Sequence, residues 1–201
     1  MGTTLMAMCH ENGVIVASDS QTSSGFYISN RAADKITIIT RNIVCLRSGS
    51  SADTQNIVDF VKNILIKEQL ERGTSFEVRA VAQLLRNICY KKKADLNCGL
   101  ICAGWDTIHG GQVYVIIQGG TILATPYISS GSGSIFINSF CDTNYKENME
   151  EKESEQFIIK SVSLAIQRDF SALEASLIVF PAQGLMCHQK QLFAITCLHL
   201  S

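Results

Sequence analysis

Short apolar runs separated by polar turns open the chain, a pattern that predicts β-strands. The first segment, residues 5–20, contains two such runs joined through Asn12-Gly13, a dipeptide whose positive backbone φ angles suit a tight hairpin turn. A shorter run at residues 35–40 precedes a buried run at 43–50, and these two are expected to form a second hairpin around Arg41-Asn42. The chain is therefore expected to begin with antiparallel strands.

The hydrophobic period changes from strand-like to helix-like at Ser51. Apolar side chains then recur every three or four positions as far as Glu71-Arg72-Gly73, which predicts one helix that ends at the glycine. A second amphipathic pattern covers about residues 76–92. The two helices are expected to form a helical hairpin.

Strand signals return in the second half of the chain, where glycine-containing turns separate three apolar runs and predict a meander, at residues 96–106, 112–118 and 121–127. Two more helices are predicted at residues 131–145 and 153–169. A final pair of strands, residues 175–182 and 191–200, is expected to turn about Gly184.

The order of these elements predicts the fold class. Strands and helices occur in separate runs rather than in strict alternation, which argues for an α+β architecture with antiparallel sheets. The predicted strands are apolar on both faces, so each sheet should meet another sheet on one face and helices on the other. We therefore predict a four-layer αββα sandwich, in which helices flank two antiparallel sheets, built as one domain from the 201 residues.

Composition and charge narrow the classes of function. Hydrophobic residues make up 46% of the chain and charged residues 17%, which excludes a disordered protein. The net charge is −1 and the pI about 6.4, so the overall charge does not favour nucleic acid or an anionic membrane as a partner. The one basic run, Lys91-Lys92-Lys93, is expected at a solvated helix end. Since no apolar stretch reaches the ~20 residues that span a bilayer and no export signal is recognised, we expect a soluble intracellular protein.

The eight cysteines are expected to be reduced thiols, because most of them lie inside apolar runs; they are Cys9, Cys45, Cys89, Cys98, Cys102, Cys141, Cys187 and Cys197. Cys98 and Cys102 form the one close pair, but their spacing matches no common zinc motif and no second pair accompanies them. We expect neither a metal nor a cofactor.

The start of the chain carries candidate chemistry. If Met1-Gly2 were removed, the hydroxyl of Thr3 would lie beside its own α-amine, whose reference pKa of about 7.7–8.0 lets it accept a proton near neutrality. One residue would then supply both nucleophile and base. The simpler interpretation is that Thr3-Thr4 is ordinary β-branched strand material, so this dipeptide alone does not establish a catalytic site.

Seven separated motifs decide between these interpretations. In order and spacing they resemble those of a proteasome β subunit, a resemblance that runs from Thr3 to about residue 172; the motifs are "TTLMAM", "ASDSQTSSG", "NRAADKI", "RSGSSADTQ", "CGLICAGWD" followed by "GGQVY", "SGSGS" and "IQRDFS". The resemblance implies the N-terminal nucleophile hydrolase fold. Within the family, "CLRSGSSADTQ" is most similar to the beta-1 (caspase-like) type.

The resemblance implies a catalytic role for several residues. Thr3 corresponds to the nucleophile, Lys35 to the cation that lowers the pKa of the Thr3 hydroxyl and amine, and Asp19 to the carboxylate partner of that lysine. Ser132 and Asp169 correspond to the groups that support the threonine amine. Without the resemblance, Asp19 and Lys35 could equally form a simple salt bridge between strands.

Further residues are implied in substrate binding. Gly49 corresponds to the residue whose N–H stabilises the oxyanion, and Arg47 to the base of the specificity pocket, where a cation would favour an acidic side chain before the scissile bond. Thr22, Ser23 and Ser51 would line the cleft, with main-chain hydrogen bonds to an extended substrate. Outside the family context, Arg47 would be an ordinary surface arginine.

The sequence departs from the family pattern at two places. After Asp169 an active subunit typically has a Gly-Ser-Ser-Gly-like stretch, whereas this chain has Phe170-Ser171-Ala172-Leu173. The leader is only Met1-Gly2, which we interpret as a vestigial propeptide before a domain of residues 3–201. Each departure would weaken self-cleavage or catalysis if it were not compensated.

Two functions follow as expectations from the resemblance. The first is a threonine endopeptidase that cleaves unfolded polypeptides after acidic residues, within a heteroheptameric ring of β subunits stacked on α subunits, in the cytoplasm and nucleus. The second is a catalytically weak or unprocessed subunit that serves ring assembly. We favour the enzyme, because a pure scaffold has no chemical reason to keep the catalytic residues.

Overall fold

Two five-stranded antiparallel sheets dominate the structure, and a two-stranded hairpin accompanies them. The computed structural model describes residues 3–19, 22–24, 27–30, 35–73, 75–94, 96–168, 175–181 and 188–192. The strands are β1 (Thr4–His10), β2 (Gly13–Asp19), β3 (Thr22–Ser24), β4 (Tyr27–Asn30), β5 (Ile36–Thr40), β6 (Ile43–Gly49), β7 (Cys98–Asp106), β8 (Gly110–Ile117), β9 (Thr121–Ala124), β10 (Tyr127–Gly131), β11 (Ala175–Pro181) and β12 (His188–Leu192). The helices are α1 (Ser51–Arg72), α2 (Val78–Lys91), α3 (Ser134–Asn144) and α4 (Glu151–Arg168).

The strand order places the start of the chain inside a sheet. The first sheet has the order β10-β1-β2-β11-β12 and the second has the order β5-β6-β7-β8-β9. β1 is therefore paired on both sides, with β2 and with β10. Both ladders hold Leu5–Met8, and Thr4 at the amino end of the strand pairs with Gly131 of β10.

Three apolar layers hold the sheets and helices together. Leu5, Val16 and Leu46 belong to the layer between the two sheets and are at most 1% exposed. A second layer lies where α1 and α2 cover the β5–β9 sheet, and a third lies where α3 and α4 cover the other sheet. This arrangement confirms the predicted αββα sandwich.

The predicted first turn is wrong by one residue. The turn consists of Glu11 and Asn12, because His10 pairs directly with Gly13 across the hairpin. Gly13 belongs to β2 and also pairs with Pro181 on the other side, so it is held extended between two neighbours. Neither Asn12 nor Gly13 has a positive φ.

The predicted strand at residues 121–127 is in fact two strands that belong to different sheets. β9 ends at Ala124, and β10 begins at Tyr127 and pairs with β1. Pro126 lies between them and has no N–H with which to continue a ladder, while its carbonyl oxygen accepts the Cys9 N–H at 2.8 Å. The apolar run therefore did not predict β10, the strand that leads to Ser132.

The other elements differ mainly in their bounds. The four helices are confirmed, although α3 begins at Ser134, after Gly131, whose φ of 94° is incompatible with a helix. The last strand pair is confirmed as β11 and β12, but β12 begins at His188 instead of residue 191. Gly184 and residues 193–200 lie outside the described residues, and the hairpin of β3 with β4 was not predicted.

Six of the eight cysteines lie in the described part of the chain as free thiols. Five of them are buried, as predicted, whereas Cys9 is half-buried. Burial raises the pKa of Cys9 and Cys141 to about 11 and that of Cys45 to about 12. These thiols are therefore protonated at neutral pH. In the described ranges, no helix is long and apolar enough to cross a membrane.

Candidate active site

Three predicted catalytic residues meet at one end of the apolar layer between the sheets. Thr3 directly precedes β1, Asp19 is the last residue of β2, and Lys35 directly precedes β5 of the opposite sheet. The Lys35 ammonium lies 2.6 Å from Asp19 Oδ2 and donates to Thr3 Oγ1 at 3.3 Å. The lysine therefore bridges the carboxylate and the hydroxyl, and it joins the two sheets.

Both oxygens of the Asp19 carboxylate have a donor. Oδ2 accepts from Lys35, and Oδ1 accepts the Thr4 N–H at 2.6 Å. The residue is fully buried, and this burial raises the pKa of Asp19 while the Lys35 charge acts in the opposite direction. Because both of its oxygens accept hydrogen bonds, the Asp19 carboxylate has a fixed orientation, and it fixes the position of the Lys35 ammonium in turn.

Ser132 contacts the backbone of Thr3 on the side of β10. Its Oγ accepts the Thr3 N–H at 3.2 Å and lies 3.4 Å from the Thr3 carbonyl oxygen, to which it can donate. Gly131 makes this approach possible, because a Cβ at that residue would collide with the Thr3 carbonyl. The predicted proximity of Ser132 to the threonine amine is thus present in the structure.

Gly49 ends β6 at the amino end of α1. Its φ is 99°, and a Cβ there would collide with the Asn97 carbonyl oxygen, so only glycine fits this backbone. Ser50 caps the helix by accepting the Asp53 N–H. The helix has 22 residues, and the partial positive charge at its amino end favours negative charge nearby. The local field suits an oxyanion.

Arg47 lies two residues before Gly49 on the same strand. It is 9% exposed, so it is not the ordinary surface arginine that the alternative interpretation described. Its N–H donates to the Lys35 carbonyl oxygen at 2.9 Å, which joins β6 to the residue that carries the candidate catalytic ammonium. The candidate specificity residue and the candidate cation are therefore adjacent across two strands.

The remaining predicted site residues are described only in part. Ser51 is the exposed first residue of α1. Thr22 and Ser23 belong to β3, but only their backbone is described. Asp169 lies outside the described residues, as do Met1-Gly2 and the divergent stretch at 170–173.

Two contributors to the site were not predicted from the sequence. The Thr4 N–H orients Asp19, and the missing side chain of Gly131 opens the space for the Thr3 carbonyl. A backbone donor leaves no signal in the residue type, whereas the glycine lies inside the "SGSGS" motif and could have been noticed. Among the described residues, no three of His, Cys, Asp and Glu gather in a way that could hold a metal ion.

Comparison with known proteins identifies the family. The profile of the family described as "Proteasome subunit" matches residues 1–179. The chain is 45% identical to probable proteasome subunit beta type-1 of Schizosaccharomyces pombe, over 86% of this chain and 76% of that protein. It is 43% identical to proteasome subunit beta type-6 of Arabidopsis thaliana, over 84% and 72%, and 40% identical to proteasome subunit beta type-9 of Oncorhynchus mykiss, over 85% and 78%. The chain therefore belongs to the proteasome β-subunit family.

Proposed function

We propose that this subunit is a threonine endopeptidase whose nucleophile is the hydroxyl of Thr3. The observation that carries the proposal is the position of the Lys35 ammonium, 3.3 Å from Thr3 Oγ1 and 2.6 Å from Asp19. A cation held there by a buried carboxylate stabilises negative charge on the hydroxyl oxygen as its proton leaves. The Asp19–Lys35 pair thus acts on the attacking atom, which a simple inter-strand salt bridge would not do.

In the proposed mechanism, removal of Met1-Gly2 frees the α-amine of Thr3. This amine has a reference pKa of about 7.7–8.0 and takes the proton from Oγ1, while Ser132 positions it. Oγ1 then attacks the substrate carbonyl carbon, and the negative charge that develops on the carbonyl oxygen is stabilised by the Gly49 N–H. Collapse of the tetrahedral intermediate breaks the peptide bond, passes the proton to the leaving amine and leaves an ester on Thr3.

Water completes the proposed cycle. The free α-amine accepts a proton from the water molecule, which attacks the ester carbonyl from the position that the leaving peptide has vacated. The second tetrahedral intermediate then expels Oγ1, which takes its proton back. The products are two peptides and the original Thr3, so the reaction needs neither a metal nor an oxidant.

The specificity that we propose is cleavage after acidic residues. Arg47 supports it, because a guanidinium buried on the strand that ends at Gly49 would pair with a carboxylate in front of the scissile bond. The names of the relatives include three subunit types, so the comparisons alone do not select a preference. Substrate would bind as an added strand along Thr22, Ser23 and Ser51.

The proposed working form is a heteroheptameric ring with other β subunits, stacked on α subunits and acting on unfolded polypeptides. The cytoplasm and nucleus are the proposed location. We expect the isolated chain to be inactive, because neighbouring subunits would complete the cleft.

Purified particles that contain a tagged copy of this chain test the proposal. The wild-type particle should hydrolyse a fluorogenic peptide with an acidic residue before the scissile bond, and Thr3→Ala should remove that activity completely. The matched control is Thr121→Ala, which deletes an exposed threonine hydroxyl on β9 and should retain full activity. Activity that survives in Thr3→Ala at the wild-type level would overturn the proposal.

Mass spectrometry of the same particles distinguishes the enzyme from the unprocessed scaffold. A mature chain that begins at Thr3 supports the enzyme, whereas a chain that retains Gly2 has its Thr3 nitrogen locked in a peptide bond and supports the assembly role. Arg47→Met tests the specificity separately. It should lower hydrolysis after acidic residues and leave hydrolysis after neutral residues unchanged or raised.

A further inference from the structure

The apolar layer between the sheets ends in two serines at the side of the active site. Alternate residues of a strand share a face, so Ser48 follows Val44 and Leu46 on the inner face of β6. Ser130 lies in the same way two residues after Ile128 on β10. Their hydroxyl oxygens lie 3.3 Å apart, so a hydrogen bond joins the two sheets. We call this contact the serine bridge.

The serine bridge has a defined direction. Ser48 Oγ donates its single proton to the Gly99 carbonyl oxygen at 3.0 Å, so the Ser130 hydroxyl is the donor between the two serines. Gly99 faces Ser48 across the ladder between β6 and β7. A Cβ on Gly99 would lie 2.6 Å from Ser48 Oγ, so the absence of a side chain leaves room for the hydroxyl.

Each serine adjoins one half of the candidate active site. Ser48 directly precedes Gly49, the candidate oxyanion donor. Ser130 precedes Gly131 and Ser132, which contact Thr3, and pairs with Leu5 on the nucleophile strand. The two halves belong to different sheets, so their separation depends on contacts across the gap between the sheets. The Lys35–Asp19 pair also spans this gap.

We propose that Ser48 and Ser130 are positioning residues that hold the Gly49 amide at the correct distance from the Thr3 hydroxyl. The inference rests on the proposed function, because it assigns a role within the same reaction. Attack on a carbonyl requires the nucleophile to lie at the carbonyl carbon while the oxyanion donor lies at the carbonyl oxygen of the same group. A displacement of about 1 Å costs about 100-fold in rate. Loss of the bridge loosens this geometry without removing any group that touches substrate.

The test uses assembled particles that carry Ser48→Ala, Ser130→Ala or both. Each single variant should lower kcat about 10-fold and change KM less than about twofold. The groups that bind substrate are intact in these variants, whereas the alignment of the Thr3 hydroxyl with the Gly49 amide is lost. The double variant should be no worse than the worse single variant, since the two hydroxyls act as one unit. Ser130→Thr keeps the hydroxyl and should restore kcat to within about twofold.

Two controls separate positioning from general damage. Ser163→Ala removes a hydroxyl on α4 that bonds the Ile159 carbonyl oxygen, far along the chain from the bridge, and should leave kcat unchanged. The pH profile of kcat should keep its shape in all variants, since no ionisable group is removed. If particles with Ser48→Ala do not assemble, Ser130→Ala provides the same test. It removes the hydroxyl that donates to Ser48 and leaves the hydrogen bond from Ser48 to Gly99 intact.

Hydrogen exchange makes the outcome independent of the proposed function. In both single variants, the amides of residues 47–50 and 130–133 should exchange faster than in the wild type, and Ser163→Ala should not show this change. If Thr3→Ala particles stay active, the proposed function fails while the exchange result still decides whether the bridge holds the two strands. Unchanged exchange, kcat within twofold of the wild type in both single variants, or an additive double variant would overturn the inference.

Discussion

The ammonium group of Lys35 lies 2.6 Å from the Asp19 carboxylate, although the two residues come from different sheets. Asp19 is fully buried and the Lys35 side chain is 10% exposed, so water screens this pair weakly. Asp19 therefore holds the Lys35 ammonium in a fixed position beside the Thr3 hydroxyl, which lies 3.3 Å from it.

Lys35→Met should lower kcat by about 10²–10³-fold, the cost of removing one charged group that stabilises a developing negative charge. The measurement is peptide hydrolysis by assembled particles under saturating substrate. Lys160→Met is the control, because Lys160 is an exposed lysine on α4. A Lys35→Met particle with more than a tenth of wild-type kcat would contradict the assigned role.

The same variant should also destabilise the fold, because it leaves the Asp19 carboxylate buried without its cation. Loss of one partner of a buried pair costs about 3–5 kcal/mol in the free energy of unfolding. Adding Asp19→Asn to Lys35→Met should recover part of this stability, since it removes the unpaired charge, but it should not recover activity. Urea unfolding of the full chain measures the stability, and an equal loss in both variants would argue against a buried ion pair.

Gly49→Ala should abolish activity and destabilise the chain. The φ of 99° strains any side chain there, and the new Cβ would meet the Asn97 carbonyl oxygen, so β6 and the amino end of α1 must shift. Gly73→Ala is a matched control, because Gly73 has a φ of 65° and nothing lies within 4 Å of the added Cβ. This control should cost about 1 kcal/mol and retain activity. Equal thermal shifts in the two variants would contradict the steric argument.

Asp106 should contribute strongly to stability. It is 6% exposed, caps the amino end of α2 through the Val78 N–H, and accepts the His109 N–H and a Gln112 amide proton. Asp106→Ala should therefore lower the free energy of unfolding by about 3 kcal/mol, because the buried Val78 N–H and the part-buried donors of His109 and Gln112 lose their acceptor. Asp59→Ala, which removes an exposed carboxylate on α1, should cost less than about 0.5 kcal/mol.

The pH dependence provides a second check on Asp106. Burial alone would raise the pKa of its carboxyl, but the four hydrogen bonds it accepts outweigh this effect and hold the pKa below the ordinary value of 3.8. A lowered pKa gives stability that is present above the unfolded value and is lost as the pH falls through the folded value. Acid unfolding below about pH 4 should therefore be steeper in the wild type than in Asp106→Asn.

His10 should make the fold less stable in mild acid. It is 5% exposed, and burial lowers its pKa from 6.5, while Glu151 and Glu11 act in the opposite direction. The unfolded chain then binds the proton first as the pH falls below about 6.5, so the free energy of unfolding decreases there. His10→Gln should flatten this slope between about pH 5 and 7 in urea titrations. Identical slopes in the wild type and the variant would contradict the assignment.

Local signals were sufficient for most elements of the fold. The helical period in α1 and α2, and the glycine at residue 73, predicted both helices closely, because side chains three or four positions apart must share a face. The prediction failed at residues 121–127, where one apolar run serves two sheets. The apolar content and the hydrophobic period of a strand do not predict which other strand it pairs with. The change from one sheet to the other at Pro126 was therefore found only in the structure.

The candidate site, like the fold, has parts that the sequence predicted and parts that only the structure showed. The motifs that resemble those of the proteasome β-subunit family singled out Thr3, Asp19 and Lys35 as candidate catalytic residues. Residue types alone left an ordinary strand and a simple salt bridge as alternatives. The contact of Ser132 with Thr3, which the resemblance implied, depends on β10, a strand that the apolar pattern did not predict. The Thr4 amide was found only in the structure, because backbone groups carry no sequence signal.

The sequence by itself therefore predicted most of the elements and the layered architecture, which depend on side-chain chemistry and on short-range periodicity. Its motifs implied the candidate reacting groups through the family resemblance. The resemblance implied that Asp19 is the partner of Lys35, but only the tertiary structure decided that the two meet across the gap between the sheets and that Ser48 reaches Ser130 nearby. These contacts join residues 16 and 82 positions apart. They form because the apolar faces of the two sheets pack together. The distance between the sheets is set by the packing of the whole core and not by any single segment of the chain.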